Sequence, residues 1–199
     1  MIKSERQLIQ DLKSKGYKFI DADNLFRSKS LNSEVVNIIL YHLSSIYEEH
    51  IGTGDTLVRS LLAAEDEFDS SILVKLFNNK QYNKSIKWSI AYVLAKGKSN
   101  ISEKWFLNNL RKPDEKNSFE YSGLLWGIPE KLISKDSKNI RALILDIMPI
   151  YYKDDQFQKL LKKYFYKQDC SMLLLAMSAI KEECKPIMKI IDGLKPLSN

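Results

Sequence analysis

Cysteine and histidine are both scarce in this sequence, with two of each among 199 residues. Cys170 and Cys184 lie fourteen positions apart, which on a continuous helix corresponds to about 21 Å and exceeds the reach of a disulfide. We therefore expect reduced, buried thiols. His42 and His50 share one predicted helix but point about 80° apart, without a cysteine or acidic cluster at ligand spacing. The sequence thus predicts no catalytic residues, no metal site and no cofactor.

Long apolar segments are also missing. The longest nearly apolar stretch, residues 172–180, is far shorter than the ~20 residues that cross a bilayer. The chain begins with MIKSERQLIQ, in which charges are spread throughout and no apolar run of the signal-peptide kind occurs. We therefore expect no membrane span and a cytoplasmic location.

Residues that favour turns and strands are few, with 7 Gly, 5 Pro, 2 Thr and 5 Val. The low β-branched content disfavours sheets, and apolar side chains recur at every third and fourth position, as in amphipathic helices. Fractions of 44% hydrophobic and 28% charged residues are typical of one ordinary globular domain. The formal charge of +6 is modest, so the basic balance alone is weak evidence for nucleic-acid binding.

Twelve helices are predicted, and their ends carry local signals. Asn32 and Asn83 can cap helix starts. Gly52 and Gly97 can adopt the left-handed conformation that stops a helix, and Pro113 follows another predicted end. Short links force neighbouring helices into antiparallel packing, as in a bundle or a row of hairpins. The predicted ranges are 3–15, 22–28, 32–48, 55–65, 69–78, 84–96, 102–111, 118–132, 138–150, 154–167, 170–182 and 185–193.

One short segment is repeated in outline 33 residues later. The residues SIKWS at 85–89 and SFEYS at 118–122 share the same order of small, apolar and aromatic side chains. Stacked α-solenoids have helical pairs with a period of about 33 to 45 residues. The spacing therefore favours a row of helical hairpins over a bundle.

The stretch IKWSIAYVL at 86–94 resembles the inner-helix pattern of HEAT and phycobilin-lyase-type repeats. In that pattern an apolar and a basic residue are followed by small residues and Leu. The places are filled here by Ile86, Lys87, Ala91 and Leu94. Looser matches are Ile140 and Arg141 with Ile144 and Met148, and Met172 with Ala176, Ala179 and Ile180.

This resemblance implies an all-α fold in which antiparallel helical pairs stack into a short right-handed HEAT-like α-solenoid. One domain would cover 1–199, with 1–30 as an N-terminal cap and 32–193 as the repeats. Residues 119–140 break the period, because Gly123, Gly127 and Pro129 depart from the pattern.

The resemblance also implies action by surface contact. We expect a non-enzymatic protein–protein interaction module, monomeric when free, that binds a protein partner on its concave surface. A narrower hypothesis is a bacterial immunity or antitoxin-like protein, a role that small repeat proteins of this type fill. Trp88 and Tyr92 share a helix face, where they either pack against the next repeat or form an exposed binding pair. The predicted contact residues are Lys87, Trp88, Tyr92, Glu120, Tyr121, Arg141 and Asp146.

A row of lysines supports an alternative function. Its spacing predicts a basic stripe opposite an apolar face of one helix, which is either a solvated face or a surface for a phosphate backbone or an acidic protein. The stripe comprises Lys159, Lys162, Lys163 and Lys167. The alternative is thus a nucleic-acid-binding or DNA-glycosylase-like HEAT protein. The residue types that such a glycosylase would need, without a matched motif, occur at Trp126, Arg141, Asp146 and Tyr151.

Two further motifs have simpler interpretations. The sequence GTGD at 52–55 lacks the preceding strand and the following Lys-Ser/Thr of a phosphate-binding loop, so we expect a tight turn with Asp55 as a helix cap. The acidic run over 65–69 is interpreted as solvated charge or as a contact patch for a basic partner, and not as a hydrolytic carboxylate pair.

Overall fold

The computed structural model describes residues 1–114, 117–178 and 185–194, and all the regular elements in these ranges are helical. The all-helical prediction is thereby confirmed. No described helix is both long enough and apolar enough to cross a membrane. The helices are α1 (Lys3–Ser14), α2 (Ala22–Phe26), α3 (Ser33–Glu49), α4 (Ile51–Ser60), α5 (Ser71–Phe77), α6 (Lys84–Lys96), α7 (Glu103–Arg111), α8 (Ser118–Ser122), α9 (Ser137–Tyr151), α10 (Asp155–Tyr164), α11 (Cys170–Met177) and α12 (Lys185–Asp192).

Polar side chains cap several helix starts as their sequence predicts. The Asn32 side chain accepts a hydrogen bond from the amide of Val35, and Asn83 accepts one from Ile86. Each cap satisfies an amide that has no partner within its own helix. These two predictions are confirmed.

The predicted glycine stops at Gly52 and Gly97 are wrong. Gly52 lies inside α4, because His50 ends α3 in an extended conformation and its ring Nδ1 accepts from the amide of Thr53. Gly97 has a φ of −72°, and a Cβ there would lie 2.7 Å from the Val93 carbonyl oxygen. Its absent side chain therefore permits a close approach instead of a left-handed turn. Asp55 also lies within α4 and caps nothing.

The predicted helix over 118–132 is interrupted. It divides into α8, a 3₁₀ turn over Gly123–Gly127 and an irregular segment. A Cβ at Gly123 would lie 2.5 Å from the Trp88 carbonyl oxygen and 2.7 Å from the Tyr92 amide nitrogen. The turn thus packs directly on the main chain of α6, which only glycine permits.

The carboxyl-terminal predictions have mixed outcomes. The helix predicted over 154–167 ends at Tyr164, and a separate 3₁₀ turn covers Lys167–Asp169. Cys170 carries a free, half-buried thiol. Cys184 and the pattern residues Ala179 and Ile180 lie outside the described ranges.

Helices of the same parity contact one another. The contacts join α1 to α3, α3 to α5, α7 to α9 and α9 to α11, and likewise α2 to α4, α4 to α6, α6 to α8 and α10 to α12. The 3₁₀ turn over Gly123–Gly127 contacts both α6 and α10. We call the two sets the odd layer and the even layer, the latter including that turn. The buried core comprises apolar side chains from both layers.

The segments that precede the odd helices also contact one another. The amide of Leu31 donates to Ala63 at 2.8 Å, and the amide of Phe68 donates to Lys98 at 2.9 Å. The ammonium of Lys131 then donates to the Gly97 and Ser99 carbonyl oxygens, and burial lowers the pKa of this lysine. Each bond joins segments about one hairpin apart in sequence.

Candidate interaction surface

Three aromatic rings form a continuous group on the even layer. Trp88 and Tyr92 lie on successive turns of α6, with ring centroids 5.4 Å apart and planes inclined by 5°. Trp126, in the 3₁₀ turn, meets Tyr92 edge-to-face at a centroid distance of 5.5 Å and an angle of 87°. All three are half-buried. We call Trp88, Tyr92 and Trp126 the aromatic strip.

The close approach at Gly123 places Trp126 beside Tyr92. Because the turn over Gly123–Gly127 lies against the main chain of α6, its tryptophan reaches a ring that α6 carries. Tyr92 also packs against the buried core. The strip is therefore held by rigid backbone contacts and does not depend on a flexible loop, an arrangement that limits the entropy lost on binding.

A lysine from the next even helix completes this surface. The ammonium of Lys159 on α10 lies 5.7 Å from the centroid of the Trp126 ring, a cation–π contact. Lys162 and Lys163 are exposed on the same helix, and Lys163 lies over the ring of Tyr164. We call Lys159, Lys162 and Lys163 the lysine face. The fourth residue of the predicted stripe, Lys167, lies beyond the end of α10, so the four do not share one helix.

The strip follows a regular offset along the chain. Tyr92, Trp126 and Lys159 are separated by 34 and 33 positions, and each occupies an even-layer element. Sequence reasoning had not connected these residues. The signal that could have found them is the 33-residue spacing of 85–89 and 118–122. The same offset reaches three further residues of the even layer that are exposed, Phe26, Arg59 and Asp192.

Ion pairs flank the strip on the same layer. Lys87 and Glu120, both predicted contact residues, lie 3.8 Å apart with each side chain 16% exposed. Lys96 pairs with Glu130 at 3.3 Å. These pairs join α6 to the segments of the following hairpin.

The other predicted contact residues lie elsewhere. Tyr121 is half-buried and meets the ring of Phe77 edge-to-face at 5.2 Å. Arg141 donates to Asp169, whose carboxylate is almost fully buried, and its guanidinium lies over the ring of Phe165. These interactions secure α9 to the segment that precedes α11.

Asp146 belongs to a different surface, on the odd layer. Arg111 on α7 donates to its carboxylate at 2.5 Å across the α7–α9 groove, a cavity of about 430 Å³. The glycosylase-type residues are thus not brought together. Trp126 contacts the strip, Asp146 pairs with Arg111, Arg141 pairs with Asp169, and Tyr151 is 1% exposed.

The two histidines make separate structural contacts. His42 is 7% exposed and donates to the Asp11 carboxylate at 2.7 Å, which lowers the pKa of Asp11. His50 caps α4 and lines a cavity of about 590 Å³ together with Tyr82 and Lys75. Among the residues that the structure describes, no group of three or more His, Cys, Asp or Glu side chains could hold a metal ion.

Comparisons with known proteins leave the geometry to carry the functional argument. No protein-family profile matches this chain, and no curated protein or solved structure is significantly similar to it.

Proposed function

We propose that this chain is a non-enzymatic interaction module that docks a protein partner on its even layer. The observation that carries the proposal is the aromatic strip, a set of large rings held half-exposed on rigid helices. Tryptophan and tyrosine are enriched among the residues that dominate binding energy at protein interfaces. Rings that are ordered before binding lose little conformational freedom when a partner covers them.

The proposal includes a HEAT-like, right-handed stack of helical pairs. Three observations support it: the contacts within each layer, the hydrogen bonds between successive inter-hairpin segments, and the offset of 33 or 34 residues that connects Tyr92, Trp126 and Lys159. Each helical pair of such a stack buries its apolar sides only against its neighbours. By the resemblance of 86–94 to an inner helix, the even layer would form the concave wall, with the strip at its centre.

Affinity capture with matched variants tests this function. The tagged wild-type protein, Trp126→Ala and Tyr41→Ala are used to capture proteins from the source cells under native conditions, and bound proteins are quantified by mass spectrometry. Tyr41 is the control, because it is an aromatic residue that is 81% exposed on the odd layer. We expect one stoichiometric partner that Tyr41→Ala retains and Trp126→Ala loses.

Two results would contradict the proposal. One is a partner captured equally by both variants, which would place the docking surface outside the strip. The other is the absence of any stoichiometric partner. Neutralisation of a toxin is a narrower prediction, and the identity of a captured partner would test it directly.

The lysine face favours nucleic-acid binding as a second candidate function. Phosphate contacts make affinity fall steeply between about 50 and 200 mM salt. Substitution of Lys159, Lys162 and Lys163 by Glu should then abolish binding to duplex DNA. A wild-type protein that binds no duplex at low salt excludes this candidate.

A further inference from the structure

The lysine face carries positive charge that the chain does not neutralise. On α6, Lys87 and Lys96 pair with carboxylates of the next hairpin. Within the described residues, no carboxylate lies within ion-pair distance of Lys159, Lys162 or Lys163, and all three are exposed. The even layer therefore presents three uncompensated ammonium groups beside the aromatic strip.

The position of Lys159 strengthens this observation. Asp155 precedes it by four residues on α10, the spacing and order at which an acidic and a basic side chain pair well on a helix. The lysine instead directs its ammonium over the Trp126 ring. Its charge is thus held at the strip, where a docking segment would meet a cation and a ring together.

We propose that the partner docks through an acidic segment that also carries a large apolar side chain. Its carboxylates pair with the lysine face, and its apolar side chain covers Trp126 and Trp88. This inference rests on the protein-binding function proposed above, and specifies the chemistry of the partner.

A protein segment fits this surface better than a nucleic acid. Glu120 and Asp155 lie on even-layer helices that flank the strip, and a continuous phosphate backbone would meet both carboxylates. Three neutralised phosphates also give only a shallow salt dependence, since each contact contributes less than one unit to the logarithmic slope. An acidic peptide can instead place its few carboxylates at the lysines and its apolar group on the rings.

Selection from a random peptide display library tests the inference without knowledge of the natural partner. Peptides enriched on the wild-type protein are synthesised, and their dissociation constants are measured for three proteins. The first is the wild type. The second is Lys162→Glu/Lys163→Glu. The third is Lys104→Glu/Lys138→Glu, a control with the same change in charge at two exposed lysines of the odd layer. Oligothymidylate is measured in parallel.

We expect enriched peptides that combine Asp or Glu with Trp, Phe or Leu. Their binding should weaken roughly tenfold or more in the lysine-face variant and little in the control. Peptides without acidic residues, equal losses in the two double variants, failure to enrich any peptide, or tighter binding of oligothymidylate would each overturn the inference. Non-acidic peptides that are nevertheless lost by Trp126→Ala would overturn only the acidic chemistry. Peptides indifferent to both the strip and the lysine face would contradict the proposed function as well.

Discussion

Substitution of Gly123 by alanine should separate the 3₁₀ turn from α6. The new Cβ would lie 2.5 Å from the Trp88 carbonyl oxygen and 2.7 Å from the Tyr92 amide nitrogen, whereas ordinary contacts begin near 3.4 Å. Both obstructing atoms belong to the main chain, so no side-chain rotation relieves the overlap, and the turn must move outward by about 0.7 to 0.9 Å. Overpacking of this kind costs about 1 to 3 kcal/mol. Loss of the Tyr92–Trp126 ring contact adds about 0.5 to 1.5 kcal/mol.

We therefore expect Gly123→Ala to lower the free energy of unfolding by about 2 to 4 kcal/mol. Urea denaturation followed by far-ultraviolet circular dichroism measures this change, and the near-ultraviolet spectrum reports whether the strip is disturbed. Gly193→Ala is the control, because a Cβ there would be 3.4 Å or more from its neighbours. A Gly123→Ala protein within about 0.5 kcal/mol of that control would refute the close packing of the turn on α6.

Three further variants test the packing and the polar contacts. Tyr47→Phe should raise the free energy of unfolding by about 1 kcal/mol, because the buried Tyr47 hydroxyl has no hydrogen-bond partner, whereas Tyr17→Phe should lower it by about 1 kcal/mol through loss of a bond to a carboxylate. Asp11→Ala should be less stable than the wild type at pH 6, and this difference should close below about pH 4. The reason is that hydrogen bonding from His42 depresses the folded-state pKa of Asp11, so its stabilisation is lost as the carboxylate is protonated. Trp88→Ala should cost about 1 to 3 kcal/mol, between the values for a core ring and a fully exposed one; chemical denaturation checks all of these.

The helix starts were predictable wherever a local signal sufficed. Asn32 and Asn83 act through an amide three residues away, so their sequence neighbourhood contains the whole interaction. Gly97 and Gly123 behave differently. The first meets the Val93 carbonyl on its own helix and the second meets the main chain of α6, so only packing reveals why a side chain is excluded. Glycine in sequence indicates an unusual backbone requirement, but not whether that requirement is a turn or a close contact.

The candidate surface escaped sequence reasoning because its members are distant in the chain and chemically unlike. Trp88 and Tyr92 are paired by helical spacing alone, but nothing local connects them to Trp126 or Lys159. The offset of 33 or 34 residues does so, since it places successive residues at equivalent positions of adjacent even-layer elements. Along that column the side chain changes from Arg59 to Tyr92, Trp126 and Lys159. Backbone stacking requires only that the positions recur, which leaves the exposed side chains free to differ and so to form a specific docking surface.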